Sequence, residues 1–140
     1  MEIKELMSKD VITVTPDVTL EEAERLMNVN GIGRLVVVKN DQISGIITDG
    51  DLVYNNDLDV LVKEVMETDV ITINYKKTIQ EVSQVLSNNH IGGVPVVDDA
   101  EQLVGIVTAE DIVSGYVKEE RTENISPESS SIYLSMTRSR

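Results

Sequence analysis

Two stretches of this chain carry the same three side-chain types at the same spacing. Gly45-Ile-Ile-Thr-Asp-Gly-Asp51 and Gly105-Ile-Val-Thr-Ala-Glu-Asp111 both read Gly-x-x-Thr-x-x-Asp. That set suits a ribose and a phosphate. The glycine lets a backbone or a ligand come close. Thr48 and Thr108 offer a hydroxyl at a helix start. Asp51 and Asp111, one turn further on, can accept two hydrogen bonds from a sugar diol, as acidic residues do in dinucleotide folds. The amides of a helix N-terminus would face any phosphate. The same residues have a second reading that needs no ligand, because a threonine with an aspartate three residues later is a capping box. The motif alone leaves both readings open.

The elements that must position these residues are duplicated as well. Asp10-Val-Ile-Thr13 returns as Asp69-Val-Ile-Thr72, Thr19-Leu-Glu-Glu22 as Thr78-Ile-Gln-Glu81, and Ile32-Gly33 as Ile91-Gly92. The offset is 59 residues up to Asn40 and 60 after Ile43, which places one inserted residue near Ala100–Gln102. Two copies do not make a solenoid. They predict two small modules packed face to face about a pseudo-two-fold axis, with any site between them occurring twice. Each half is about 55 residues, marginal for a private core, so one shared core is expected.

Each copy predicts the order β-α-β-β-α, an α/β (α+β) fold. Val11–Val14 and Val70–Ile73 read as extended segments. The Thr19/Glu22 and Thr78/Glu81 pairs cap a first helix, with Leu20, Ala23, Leu26 and Met27, or Ile79, Val82, Val85 and Leu86, on one face. Asn-rich ends before Gly31 and His90 supply C-caps. Leu35–Val38 with Ile43–Ile47, and Val94–Val97 with Leu103–Val107, read as hairpins. A shorter helix follows each, at about Asp49–Asn55 and Ala109–Val117. The expected boundaries are 1–57 for the first repeat, 58–118 for the second and 119–140 for a tail. Leu58, Val60, Leu61, Val62 and Val65 should make the connection between repeats pack. The tail is Ser/Pro-rich, with an apolar Ile132–Met136 that could dock on a subunit.

Composition narrows the class. The 140 residues carry no cysteine, phenylalanine or tryptophan, so disulfide and thiolate chemistry are excluded and the core must be Val, Ile, Leu and Met. Met1–Lys9 lacks a secretory apolar core, and no apolar run reaches the ~20 residues that span a bilayer. A soluble cytoplasmic protein with no membrane partner is expected. The net charge of −13 is carried by residues 1–117, since 118–140 holds as many bases as acids. Such a surface repels phosphate backbones and argues against nucleic acid as a partner. It still allows one small anion held by a basic residue and backbone amides. His90 is the only histidine, and with no Cys/His cluster a metal is not expected. Met7, Met27 and Met66 read as core or inter-repeat filler.

On these motifs the chain resembles a pair of CBS domains, a Bateman module, over about Ile3–Val117. The resemblance implies two clefts between the repeats that bind adenosyl compounds: AMP, ADP, ATP, S-adenosylmethionine or relatives. It implies that Asp51 with Thr48, and Asp111 with Thr108, hold ribose and phosphate. It also implies that the base is sandwiched by the leading segments, around Lys9–Ile12 (Val11, Ile12) and Thr68–Ile71 (Val70, Ile71). Each of these segments would serve the cleft whose Thr and Asp come from the other repeat. The family's basic residue on the first hairpin strand falls on Arg34, after Gly33. In the second copy, after Gly92, it falls on Gly93. The clefts are therefore expected to be unequal. The cleft of Arg34, Thr48 and Asp51 should take AMP or ADP, with Asp49 disfavouring a triphosphate, and the Gly93 cleft should be empty or take a less anionic ligand.

No nucleophile–base pair, histidine cluster or P-loop is present, which argues against an enzyme. A ligand-sensing regulatory module is the expected class, with a structural or interaction module as the alternative. No catalytic or DNA-binding domain is visible in the chain. Its output is therefore expected to pass through an unknown protein partner or its own homodimer, with Leu52, Val53, Ile112 and Val113 contributing to the dimer contact.

Overall fold

Thr19 and Thr78 start the two long helices. Each hydroxyl accepts the N–H of the residue three positions on, Glu22 or Glu81, at 3.2 Å. Helices α1 (Leu20–Asn30) and α3 (Ile79–Asn89) then bury Leu20, Ala23 and Met27, and Ile79, Val82 and Leu86. Both end on a left-handed residue, Gly31 at φ 62° and His90 at φ 55°. The Asn-rich ends are thus C-caps, one on glycine and one on a residue that accepts a steric cost. The computed structural model describes residues 1–123, with 119–123 described by backbone alone. The expected docking of Ile132–Met136 lies outside the described residues.

Each repeat builds a three-stranded sheet. In the first, β1 (Thr13–Val14) runs parallel to β2 (Arg34–Lys39), which pairs antiparallel with β3 (Gln42–Thr48). In the second, β4 (Ile73–Asn74), β5 (Gly93–Val97) and β6 (Leu103–Thr108) repeat the pattern. Helices α2 (Asp49–Val53) and α4 (Ala109–Glu123) follow the hairpins. The fold is mixed α+β, in the expected order. Two expectations change. Val11, Ile12, Val70 and Ile71 stay outside the sheets, because the chain there is crossing from one repeat to the other. The last helix is long, 15 residues against 5, since Asn55-Asn56-Asp57 stops α2 while α4 runs on through helix-forming residues.

The core is two clusters. One gathers Val14, Leu20, Ala23, Met27, Leu35, Val37, Ile47 and Leu52 with Val62. The other gathers Ile73, Ile79, Val82, Leu86, Val94, Val96, Val107 and Ile112 with Ile3. The expected single shared core is thus replaced by two cores, each completed by the short turn that precedes the other repeat. The turn Ile3–Glu5 docks on the second repeat, where the Ile3 N–H donates to Lys77 O at 2.7 Å and the Lys4 N–H to Tyr75 O at 3.1 Å. The turn Val62–Glu64 docks on the first, where the Val62 N–H donates to Val18 O at 2.8 Å and the Lys63 N–H to Pro16 O at 3.0 Å. Ile3 and Val62 are wholly buried. Each contributes about 1.5–3 kcal/mol by burial to a core that its own sequence neighbours do not form.

From these turns the chain passes along the other repeat. Ser8 and Ile106 exchange N–H···O bonds of 2.9 and 3.0 Å, and Glu67 and Ile46 exchange two of 2.9 Å. These equivalent contacts give the pair its pseudo-two-fold arrangement. They also explain the motif glycines. A Cβ at Gly45 would run into the Met66 side chain and sit 3.0 Å from Glu67 O; one at Gly105 would meet Met7 and sit 3.0 Å from Ser8 O. The close approach expected of these glycines is to backbone and methionine of the crossing segment.

On the outer helices, Leu52 and Ile112 are core residues. Of the four residues expected at a dimer contact, only Val53 (78% exposed) and Val113 (48%) face outward, joined by Tyr54 (89%) and Tyr116 (38%). Among the described residues no helix is long and apolar enough to cross a membrane.

Candidate functional site

Both Thr-x-x-Asp motifs close as capping boxes. The Thr48 N–H donates to Asp51 Oδ2 at 2.9 Å, and the Asp51 N–H donates to Thr48 Oγ1 at 3.3 Å. The Thr108 N–H donates to Asp111 Oδ2 at 2.8 Å, the Thr108 hydroxyl donates to the same oxygen at 3.0 Å, and the Asp111 N–H donates to Thr108 Oγ1 at 3.3 Å. Capping uses one carboxylate oxygen per motif. Oδ1 of each aspartate makes no hydrogen bond with any described residue. The two readings of the motif are therefore compatible, since the cap fixes the carboxylate and leaves one oxygen free. The helix amides are less available than expected. The Asp49 N–H donates to Gly33 O and the Ala109 N–H to Gly92 O, both at 2.9 Å. The N–H groups of Asp51 and Asp111 are also spent.

Among the described residues, two clefts between the repeats carry the motif threonines. The larger, about 590 Å³, has Val11 and Ile12 on one side and Thr108 and Asp111 on the other. Gly33, Arg34 and Asp49 of the first repeat and Gly92 of the second complete its wall. The smaller, about 270 Å³, sets Val70 and Ile71 against Thr48, with Arg34, Gly92 and Gly93 between them. The expected crossover is present in both: the leading segment of one repeat faces the threonine of the other.

Of the expected group, the structure brings Arg34 and Thr48 together on the smaller cleft, as paired residues of β2 and β3, with Asp51 hydrogen-bonded to Thr48 behind the wall. Asp51 borders neither cleft. Arg34 borders both, because strand β2 starts at the boundary between them. The Gly93 side therefore does not mark a cleft without a base. Glu110 in the larger cleft, and Glu67 and His90 in the smaller, were not expected there, whereas Asp10 and Asp69 fall within the expected leading segments. Asp10 and Asp69 had a sequence signal, since they lead the duplicated Asp-Val-Ile-Thr. His90 read only as a C-cap and is one, yet it also lines the smaller cleft.

The electrostatics follow from this roster. The larger cleft holds the carboxylates of Asp10, Asp49, Glu110 and Asp111 against the one guanidinium of Arg34. Such a wall suits a ligand with a hydrogen-bonding diol and little negative charge. The carboxyls held below their ordinary range, Glu22 by its hydrogen bond to Arg25 and Asp99 by its hydrogen bond to Lys76, stand away from both clefts. No group of three potential metal ligands occurs among the described residues.

Comparison with known proteins places the fold. The profile of the CBS domain matches residues 3–55 and 62–118. Inosine-5'-monophosphate dehydrogenase of Korarchaeum cryptofilum is 38% identical over 74% of this chain, which spans 22% of that enzyme. The chain thus covers only a minor part of some relatives. It covers 91% of a CBS domain-containing protein of Dictyostelium discoideum, at 33% identity over 83% of this chain. Among solved structures, the CBS domain pair of protein MJ0100 in complex with 5'-methylthioadenosine and S-adenosylmethionine is 32% identical, with a TM-score of 0.77 over 83% of this chain and 99% of that one. The cytosolic domain of the Mg2+ channel MgtE, in complex with ATP, is 27% identical, with a TM-score of 0.73 over 81% of this chain and 48% of that one. With both profile matches falling on the two sheets and their crossing segments, the chain belongs to the CBS domain family and contains a CBS pair.

Proposed function

We propose that this CBS pair is a regulatory module that senses an adenosine-containing ligand in the cleft between its repeats. The observation that carries the reading is the free Oδ1 of Asp111. It is fixed by the capping box on the wall of a 590 Å³ cleft, across from the apolar Val11 and Ile12. A cleft of that size falls within the range of small-molecule sites, and the 270 Å³ cleft falls just below it. The ribose diol would donate to Asp111 and the base would lie against Val11 and Ile12. Four carboxylates against one guanidinium favour AMP, methylthioadenosine or S-adenosylmethionine over a triphosphate, because like charge in a partly buried site opposes binding. The likeness to the CBS pair of MJ0100, solved with 5'-methylthioadenosine and S-adenosylmethionine, supports the same class. Output would pass through a partner protein or a second copy, and the exposed Val53, Tyr54, Val113 and Tyr116 are the residues offered for that contact. A thermal-shift panel of AMP, ADP, ATP, S-adenosylmethionine, methylthioadenosine and NAD tests the reading. Stabilisation should be greatest for the ligands with least negative charge. A flat panel would leave the interaction-module reading, which those same exposed helix residues favour.

A further inference from the structure

Arg34 and Gly93 occupy equivalent places, each the first residue of a middle strand, opposite Thr48 and Thr108. They are also in contact. A Cβ at Gly93 would lie 2.9 Å from Nη1, 3.0 Å from Cζ and 3.1 Å from Cδ of Arg34, and one at Gly92 would lie 3.0 Å from Nη2. The guanidinium is thus laid across a two-glycine notch of the other repeat. Only the 2.9 Å contact is shorter than real Cβ atoms show; the others are tight enough that the arginine, stem as well as tip, would have to give by a few tenths of an ångström. A Cβ at position 93 would therefore push Arg34 aside, and a larger side chain would occupy its seat.

The seat lies on the wall between the two clefts, and Arg34 lines both. In a chain of net charge −13, its guanidinium makes no ion pair and no hydrogen bond with any described residue. The carboxylates that line the clefts instead add to an excess of negative charge: Asp10, Asp49, Glu110 and Asp111 in one, Glu67 and Asp69 in the other. Among the described lining residues, Arg34 is the one permanently charged cation in either cleft, with His90 beside it in the smaller, so an anionic ligand in either would pair with it. A second anion in the other cleft would meet carboxylates with the cation already engaged.

We infer that Arg34, seated on Gly92–Gly93, is a single cation shared by the two clefts. It allows one phosphate-bearing ligand per chain, and Gly93 sets this specificity by leaving room for the guanidinium. The inference rests on the adenosyl reading above and adds to it how charge is rationed between the clefts.

Calorimetric titration of the whole chain with AMP and with uncharged 5'-methylthioadenosine tests it. AMP should bind with a stoichiometry of one. Gly93→Val should lower the ratio of AMP affinity to methylthioadenosine affinity at least tenfold, by filling the seat of the arginine. Arg34→Met, which leaves the backbone untouched, should lower the ratio by the same factor, and the double variant should lower it no further. Two equal AMP sites per chain, or a ratio indifferent to both substitutions, would overturn the inference while leaving the adenosyl reading intact. Failure of the wild type to bind either compound would overturn both.

Discussion

Asp111 and Asp51 hold the same place in the duplicated motif and close the same kind of capping box, yet only Asp111 borders a cleft. The difference separates the two roles of the motif by experiment. Asp111→Ala should weaken adenosyl binding by about 1.5–3 kcal/mol, the range for a hydrogen bond to a charged group. Asp51→Ala should leave ligand affinity unchanged and cost about 0.5–2 kcal/mol of stability through the lost cap. Calorimetry for the first and urea denaturation for the second would check the pair. Equal losses of affinity in both would mean that Asp51 reaches a ligand despite its position. Asp111→Asn should keep the fold, because asparagine still accepts the cap, and a collapse of that variant would contradict the capping geometry.

At the scale of elements, the crossing segments do the positioning. Each runs from a turn seated in the other repeat's core, past a motif glycine, to the cleft wall. Gly105→Ala would force a Cβ against Met7 and Ser8 O, and should destabilise by about 1–3 kcal/mol, as overpacking does. Ile3→Ala should cost about 2–5 kcal/mol, although Ile3 lies near the chain end, because it is wholly buried in the second cluster. A denaturation midpoint unchanged by Ile3→Ala would show that the N-terminal turn does not belong to that core. The helices, hairpins and caps were legible because local rules fix them: Thr19 and Thr78 with their glutamates, and β-branched runs broken by polar turns. The crossing was not legible. Ile3 and Val62 look like any apolar residue before a repeat, and nothing local says which core they enter. The same blindness hid the second half of Arg34's position: it lines the cleft of Thr48 as expected, and its place on the other cleft as well depends on the notch at Gly92–Gly93 in the other repeat.

For the whole molecule, the exchange of turns decides where the chain can be cut. Residues 1–57 lack Val62 and carry Ile3 with no core to receive it, so this fragment should be unfolded or self-associating. Residues 9–67 contain the whole of the first cluster and should show more cooperative unfolding by circular dichroism. The reverse ranking would contradict the exchanged cores. The exposed helix residues bear on assembly: Val53→Asp with Val113→Asp should shift a dimer to monomer in light scattering, with the fold retained. A wild type that is monomeric at tens of micromolar would remove the dimer from the account. The central claim is that the larger cleft between the repeats binds an adenosyl ligand through Asp111. Its most direct test is calorimetric titration of wild type and Asp111→Ala with 5'-methylthioadenosine. The account predicts binding by the wild type and a loss of roughly tenfold or more in the variant. Equal affinity in the two proteins, or no binding by the wild type at millimolar ligand, would contradict it.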